Sequence, residues 1–474
     1  MAIAASLEQH EDDDIPSSVL LEVEGYFADR PNANTAWSKT SKGVPISVSF
    51  HLAHPPSLST FSVHCPDLDL AKLSLPPKII AADADLVLVR VPLEPAARWH
   101  QRHHDYFVYR MHPQRPKLDL IPNPRHERFG DDEIAILSCG DGKYVVAALR
   151  LTFELHLYRS STNGGKTGSR WTSQRVSVEE PVRDRVCPIP KSAQPNCYHT
   201  TNKAITLGGD KGTVGWVDLW RGILLCDVLE ESPKLRDIPL PLPTKGNWTR
   251  FLNWCPHIFR NISVNQSRDT IKYVEMDITF PEEVPVNRPR SVSDPGSFYE
   301  WVKRQECPEP QSYSLVPGRW TATTYSMPIP VSSWKDWRRE FSVRLSDLKL
   351  PAENTMHYKL LHELISSSSG GVWEETISLA HLSMAYPTLS TLDGDDTVYL
   401  LLSKDSCEES CKETVEAVLS VDVRASTLQG VAKPDTGRYF SFRRSCLASG
   451  ISKHLKTQGT CAVQATKHAE ATLG

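Results

Sequence analysis

Gly165, Lys166 and Thr167 close the stretch Ser160–Thr167 (SSTNGGKT), and residues of these types could cradle a phosphate. A phosphate-binding loop wants glycine where Ser160 stands and a helix directly after the lysine, whose row of N–H groups holds the anion. Here Gly168-Ser169-Arg170-Trp171 leads into a strand pattern, so the stretch reads as a flexible hairpin tip. His126-Glu127 and His362-Glu363 begin as zinc-peptidase helices do, but neither has a second histidine four residues after the first to complete a ligand pair. His100, His103 and His104 cluster beside Arg98 and Arg102 ahead of a strand, where ligands do not converge. Trp99, Tyr106, Tyr109 and Arg110 in the same region could stack on single-stranded nucleic acid, although aromatics alternating along a strand are more often core. Cys407 and Cys411 could join Cys446 and Cys461 in a four-thiolate site, but the later spacings are irregular. Asp393-Gly394-Asp395-Asp396 carries calcium-ligand types but is too short for an EF-hand loop, and it reads as the turn before Val398–Leu402. No Gly-x-Ser-x-Gly elbow and no dinucleotide-binding glycine pattern occurs. The sequence therefore assigns no catalytic, cofactor-binding or metal-ligating residue, and it calls for no cofactor.

The elements that would position such residues are strands. Val214–Leu219 and Ile223–Val228 flank the turn Trp220-Arg221-Gly222, and a third run carries Pro239, Pro241 and Pro243. This is a tight β-hairpin leading into an extended edge. Gly222 is expected at positive φ, and Trp216 is expected in the core. Val44–Leu52 alternates with period two, placing Val44, Ile46, Val48, Phe50 and Leu52 on one face. Leu86–Val91 is apolar throughout, as a strand covered on both faces would be. Thr60–Cys65, Tyr106–Arg110, Thr152–Tyr158 and Thr172–Val178 are further strand runs. Ile134–Ser138 and Tyr144–Leu149 pair around a Gly/Asp turn, and Ile262–Asn265 and Thr270–Ile278 pair around Gln266–Asp269. Tyr399–Leu402 and Val415–Val423 bracket the acidic loop Lys404–Glu413. Helices are few, with Thr355–Ile365 and Glu408–Val418 the best short candidates.

Turn signals every 8–15 residues over some 400 residues suit a mainly β fold, either a β-propeller or stacked β-sandwiches. The propeller is preferred, because radial packing lets one domain reach this length without long helices. At about 50–65 residues per blade, six or seven blades fit. Residues 1–15, rich in Asp and Glu, read as a disordered acidic lead, 16–430 as the propeller, and 431–474 as a weakly ordered tail.

Composition narrows the partners. The 474 residues are 40% hydrophobic, enough for a large core, and the formal net charge of −4 favours neither nucleic acid nor an anionic membrane. No run approaches the roughly 18 apolar residues of a membrane span. With no signal peptide evident, a cytoplasmic or nuclear location is expected. The odd count of 11 cysteines, with Cys139, Cys226 and Cys255 inside apolar runs, suits buried reduced thiols. The sequons at Asn247, Asn261 and Asn265 should then go unused.

Several segments resemble a plant family, expanded in grasses, known only as domain of unknown function 1618. They are Asn32-Ala33-Asn34-Thr35-Ala36, Ala53-His54-Pro55-Pro56, Asp83–Arg90 (DADLVLVR) and Asp105–Tyr109 (DYFVY). The most specific is Trp216–Cys226 (WVDLWRGILLC), followed by Leu235–Pro241 (LRDIPLP). Pro387–Ser390, Asp396–Leu400 and Leu419–Val423 continue the likeness, which spans roughly residues 16–432 with a core near 215–350. The resemblance implies a plant protein of unassigned function and supplies no catalytic residues. Hairpins such as Arg221–Cys226 are also similar to the propeller-like domains associated with F-boxes, and Ile15-Pro16 with Leu20–Val23 echoes an F-box start. An F-box needs a helical bundle, whereas residues 25–60 carry Pro31, Pro45, Pro55, Pro56 and a period-two strand.

Three functions of different classes remain. The first is a non-enzymatic scaffold binding an unidentified protein partner through its loops. The second is a ubiquitin-ligase substrate adaptor, which requires N-terminal helices. The third is a hydrolase or sugar-active enzyme with a pocket at the propeller axis, which requires convergent carboxylates or a His/Asp pair there. Residues alone leave open the partner, the oligomeric state, and any role for the loop 404–413 or the His100–His104 cluster.

Overall fold

A strand that is apolar along its whole length needs cover on both faces. In Leu86–Pro92, Leu86 and Leu88 enter one apolar cluster while Val87, Val89 and Val91 enter another. The same division recurs along the chain in a computed structural model, which describes residues 15–70, 73, 75–94, 103–123, 130–160, 171–191, 198–285, 299, 313–353, 355–368, 379–403, 415–434 and 446–455.

The described strands form six blades around an axis. Blade 1 holds Lys78–Asp83, Leu86–Pro92, His104–Arg110 and Lys117–Ile121, hydrogen-bonded in that order from inside to outside. Blade 2 (Ile134–Ser138, Tyr144–Leu149, Glu154–Arg159, Trp171–Arg175) and blade 3 (Lys203–Gly208, Thr213–Asp218, Gly222–Asp227, Leu235–Pro239) repeat this meander. Blade 4 comprises Arg260–Val264, Thr270–Thr279, Arg319–Pro328 and Arg338–Arg344, with a small hairpin, Glu282–Pro285 and Tyr313–Val316, inserted between its middle strands. Blade 5 is Ser383–Leu389, Thr397–Ser403, Val415–Asp422 and Thr427–Ala432. Blade 6 closes the ring with strands from both ends of the described chain. Cys446–Ser449 pairs antiparallel with Val19–Glu22, which lies parallel to Leu58–His64, and Pro45–His51 and Thr35–Lys39 complete the sheet. Bridging between Glu24 and Lys78, with Ile79 N–H donating to Val23 C=O, joins blade 6 to blade 1.

Six apolar clusters fill the six seams between neighbouring blades. That arrangement explains why both faces of most strands are apolar. Trp216 sits in the seam between blades 2 and 3, fully buried, its indole N–H donating to Glu133 C=O at 2.7 Å. The six blades fall within the six or seven expected, and the alternating face of Pro45–His51 packs into the seam of blades 6 and 1. The expected helix at Thr355–Ile365 is present as Met356–Ser368.

Four expectations are corrected. Residues 415–418, placed in a helix candidate with Glu408, belong to a strand, because their apolar side chains are needed in the seams of blade 5; residues 404–414 lie outside the described residues. Cys446–Leu455, placed in a weakly ordered tail, forms an innermost strand and a short 3-10 helix whose Ile451 and Leu455 are buried. Cys139, placed in an apolar run, is exposed at a hairpin end. Gly222 is not among the glycines at positive φ. A Cβ there would stand 2.8 Å from Ile238 O and 3.3 Å from the Arg183 guanidinium carbon, so glycine is needed for close approach, not for turn geometry.

Residues 15–64 form strands joined by turns and no helix, so the helices an F-box requires do not occur in that part of the chain. Among the described residues no helix is long and apolar enough to cross a membrane.

Candidate functional site

Each innermost strand is a sheet edge, leaving backbone N–H and C=O groups toward the axis. Alanines 81, 82, 84, 135 and 204 keep the middle open, and a cavity of about 370 Å³ runs between the six blades. Lys203 of blade 3 donates through Nζ to Asn261 Oδ1 at 2.9 Å and to Ile262 C=O at 2.8 Å, and Asn261 Nδ2 donates to Pro387 C=O of blade 5 at 2.7 Å. This chain stitches three blades together along the cavity wall.

One mouth is crossed by an ion pair. Arg268 projects from the hairpin turn of blade 4, and its Nη2 lies 2.6 Å from Oδ1 of Asp83 at the end of the inner strand of blade 1. Blades 1 and 4 are three positions apart in a ring of six, so the pair spans the axis. Ser138 N–H of blade 2 donates to the other Asp83 oxygen at 2.7 Å. Gly208 of blade 3, at φ +76°, makes room, since a Cβ there would stand 2.3 Å from Arg268 Nη1. Burial pushes the Asp83 carboxyl above its ordinary value, while the Arg268 charge and the Ser138 N–H oppose the shift. Lys453 and His454 of the closing segment line the same cavity. Asp83 is its single carboxylate among the described lining residues.

A second polar cluster lies beneath blade 3, its Arg183–Asp237 and Arg260–Glu275 pairs fully buried. The turn of its central hairpin is capped by Asp218, whose Oδ1 accepts from the N–H groups of Trp220 (3.0 Å) and Arg221 (3.2 Å). Asp237 accepts from the N–H groups of Val182 (2.9 Å) and Arg183 (2.8 Å), from Arg183 Nε (2.7 Å) and from the Tyr198 hydroxyl (2.6 Å). Arg183 Nη2 also lies 2.6 Å from Asp237 Oδ1, within ion-pair range but off the angle of a hydrogen bond. Arg221 donates to Tyr198 C=O and to Asp184. Arg183 donates to Nδ1 of the buried His199, which is therefore neutral with its proton on Nε2, facing Thr201 Oγ1. Burial, then the charges of Arg183 and Arg221, hold the His199 pKa well below the ordinary histidine value. Next door, Arg260 lies 4.8 Å from the Trp220 ring centroid, donates to the carbonyls of Leu219 and Trp220, and pairs with Glu275 at 2.8 Å. Glu275 Oε1 also accepts from Asn247 Nδ2 and Thr244 N–H. The sequon residue Asn247 is fully buried in this cluster, and Asn265 is buried in the turn of blade 4. Burial also pushes up the thiol of the neighbouring Cys187.

The sequence-derived candidates do not assemble. Tyr106 and Tyr109 are buried in two different seams, and Arg110 is paired with Asp85, so no stacking platform forms from them. His103 pairs with Glu94, and His104 is buried in blade 1. Residues 95–102, with Arg98, Trp99, His100 and Arg102, lie outside the described residues, as do 161–170, His126-Glu127, Cys407, Cys411 and Cys461. Asp393–Asp396 is a hairpin turn with Gly394 at φ +70°. Asp393 accepts from Asn265 and Ser267, Asp395 from Thr397, and Asp396 faces Arg424, while the Lys272 ammonium donates to the carbonyls of Leu392 and Asp395. Among the described residues no group of three or more His, Cys, Asp or Glu is placed to hold a metal ion. Sequence reasoning missed Asp83, Lys203 and Arg268 as axis residues. Asp83 and Arg268 are 185 positions apart, and no local pattern marks them.

Fold and axis together define a six-bladed β-propeller with a bolted central cavity. Residues 216–399 match the model of a family described as protein of unknown function (DUF1618). The match begins inside blade 3, takes in all of blade 4 and ends inside blade 5, so its limits cut across two blades. No curated protein matches the chain. Among solved structures, a triple arginine-to-alanine mutant of AofleA from Arthrobotrys oligospora is similar at 8% identity and a TM-score of 0.34, over 92% of this chain and 90% of that one.

Proposed function

We propose that this protein is a non-enzymatic interaction scaffold, binding a protein partner through surface loops held by the blades. The observation that carries this reading is the state of the axis. Three of its charged groups, Asp83, Arg268 and Lys203, are spent on contacts that tie blades together, and Asp83 is the single carboxylate of the described lining. Glycoside hydrolysis by the usual route needs two carboxylates flanking the bond, about 5–10 Å apart. The test uses purified full-length chain in two arms. Cross-linking in cell extract, followed by reconstitution with the purified partner, is expected to give a complex of fixed stoichiometry. A turnover screen over glycosides and esters is expected to stay at the blank. Turnover that disappears in Asp83→Asn would overturn the scaffold reading in favour of an axis enzyme.

A further inference from the structure

The outer end of blade 4 carries a cleft of about 740 Å³, distinct from the axis. Its floor is set by strand register. Thr279 faces Arg319, and Asp277 faces Thr321, which in turn faces Arg344, so these side chains share one face of the sheet. The connection entering the blade adds Arg250. Three arginines and one aspartate thus line the cleft. Among the described residues the side chains of Arg344 and Asp277 make no hydrogen bond or ion pair, and that of Arg319 reaches Thr279 Oγ1 alone, at 3.4 Å. Arg250 is held in place over the rings of Trp254 (5.6 Å) and Phe259 (5.0 Å). Around the strand ends the cleft turns apolar, with Leu345, Leu348, Leu350 and Leu379. Trp320 lines this part, 96% buried, and its indole N–H has no partner among the described residues. A buried donor without an acceptor is costly, and such groups call for a ligand or water.

We propose that this cleft binds a small organic anion, a carboxylate or phosphate carried on an apolar body. The arginines would hold the anionic group by paired N–H donors. The leucines would cover the body, and the Trp320 N–H would donate to an oxygen between the two. The volume suits a ligand of modest size. All of the lining lies within residues 216–399, the stretch matched by the family model.

The probe is 1-anilinonaphthalene-8-sulfonate, an organic anion whose fluorescence rises on binding, set against N-phenyl-1-naphthylamine, its uncharged counterpart. The full-length protein is expected to bind the sulfonate at one saturable site, with benzoate competing better than inorganic phosphate. Exchanging charge in Arg319→Glu/Arg344→Glu should weaken the sulfonate by at least about tenfold, the loss of charge-assisted hydrogen bonds, and leave the neutral probe within about twofold. Trp320→Phe should weaken it by about threefold, less than a full hydrogen bond is worth. Sulfonate affinity within twofold of wild type in the double variant overturns the proposal. Phosphate competing as well as benzoate overturns the apolar body. Competition in the wild-type protein keeps the test decisive if the double variant does not fold.

Discussion

The axis and the enclosed cluster beneath blade 3 are both polar regions inside an apolar fold, yet they treat charge in opposite ways. At the axis, one ion pair and one lysine bridge an open cavity, and Arg268 keeps 29% of its side chain exposed. Beneath blade 3, Arg183 and Asp237 have no exposed side chain at all, and the same holds for Arg260 and Glu275. A buried charge with its partner removed cannot retreat to water, whereas Arg268 can. The enclosed cluster is therefore a joint that fixes the connections entering blades 3 and 4, and the axis is a bridge whose cation stays in reach of water.

The comparison can be broken by stability measurements. Asp237→Ala strands the Arg183 guanidinium in the interior and should cost about 3–5 kcal/mol in urea melts. Asp83→Ala at the axis should cost about 1–2 kcal/mol, the scale of two hydrogen-bonded contacts, of which the Arg268 donor regains solvent. Equal losses would erase the distinction between the two regions. Trp216→Ala supplies an apolar yardstick at about 3–5 kcal/mol; a melting temperature unchanged within error would contradict its place in the seam.

Smaller effects sharpen the picture. Gly222→Ala pushes a methyl group against Ile238 O and should cost about 1–3 kcal/mol by overpacking. Gly142→Ala, in an open turn at φ +74°, should cost about 1 kcal/mol; the reverse order would show that close approach does not govern Gly222. The last test is acidity. The His199 pKa is depressed in the folded state, so its contribution is present above the ordinary value of 6.5 and is lost as pH falls below it toward the folded pKa. His199→Gln keeps an acceptor for Arg183 but has no proton to gain. Between pH 7 and 5.5 the wild type should lose about 1 kcal/mol more than this variant, below the limit of about 1.4 kcal/mol per pH unit for one proton because the unfolded histidine is only partly protonated over much of that range. Parallel pH profiles would mean that His199 is not the neutral acceptor described above.

How much could be read in advance depends on the range of the interaction. Pro45–His51 and Leu86–Pro92 were legible because side-chain alternation is a property of neighbouring residues, and so was the Trp216 hairpin. The segment Trp216–Cys226 was visible as a specific pattern, but its meaning was not. Asp218 caps its own turn, whereas Arg221, Gly222 and Asp237 answer to Arg183, Asp184 and Tyr198, which come from an earlier connection. Gly222 was misread for that reason: its crowding comes from Arg183 and Ile238, neither of them a neighbour in the hairpin turn. Cys446–Ser449 looked weakly patterned because an innermost strand half-faces a polar cavity and needs few apolar residues.

By itself the chain determined a mainly β, bladed architecture with continuous apolar strands and a buried tryptophan, since local periodicity and turn residues act over a few positions. Tertiary structure alone decided that Asp83 meets Arg268 across the axis, that Arg183 fills the space a side chain at position 222 would take, and that the two described ends of the chain share a sheet. Those contacts join residues from tens to hundreds of positions apart, and only ring closure brings them within reach.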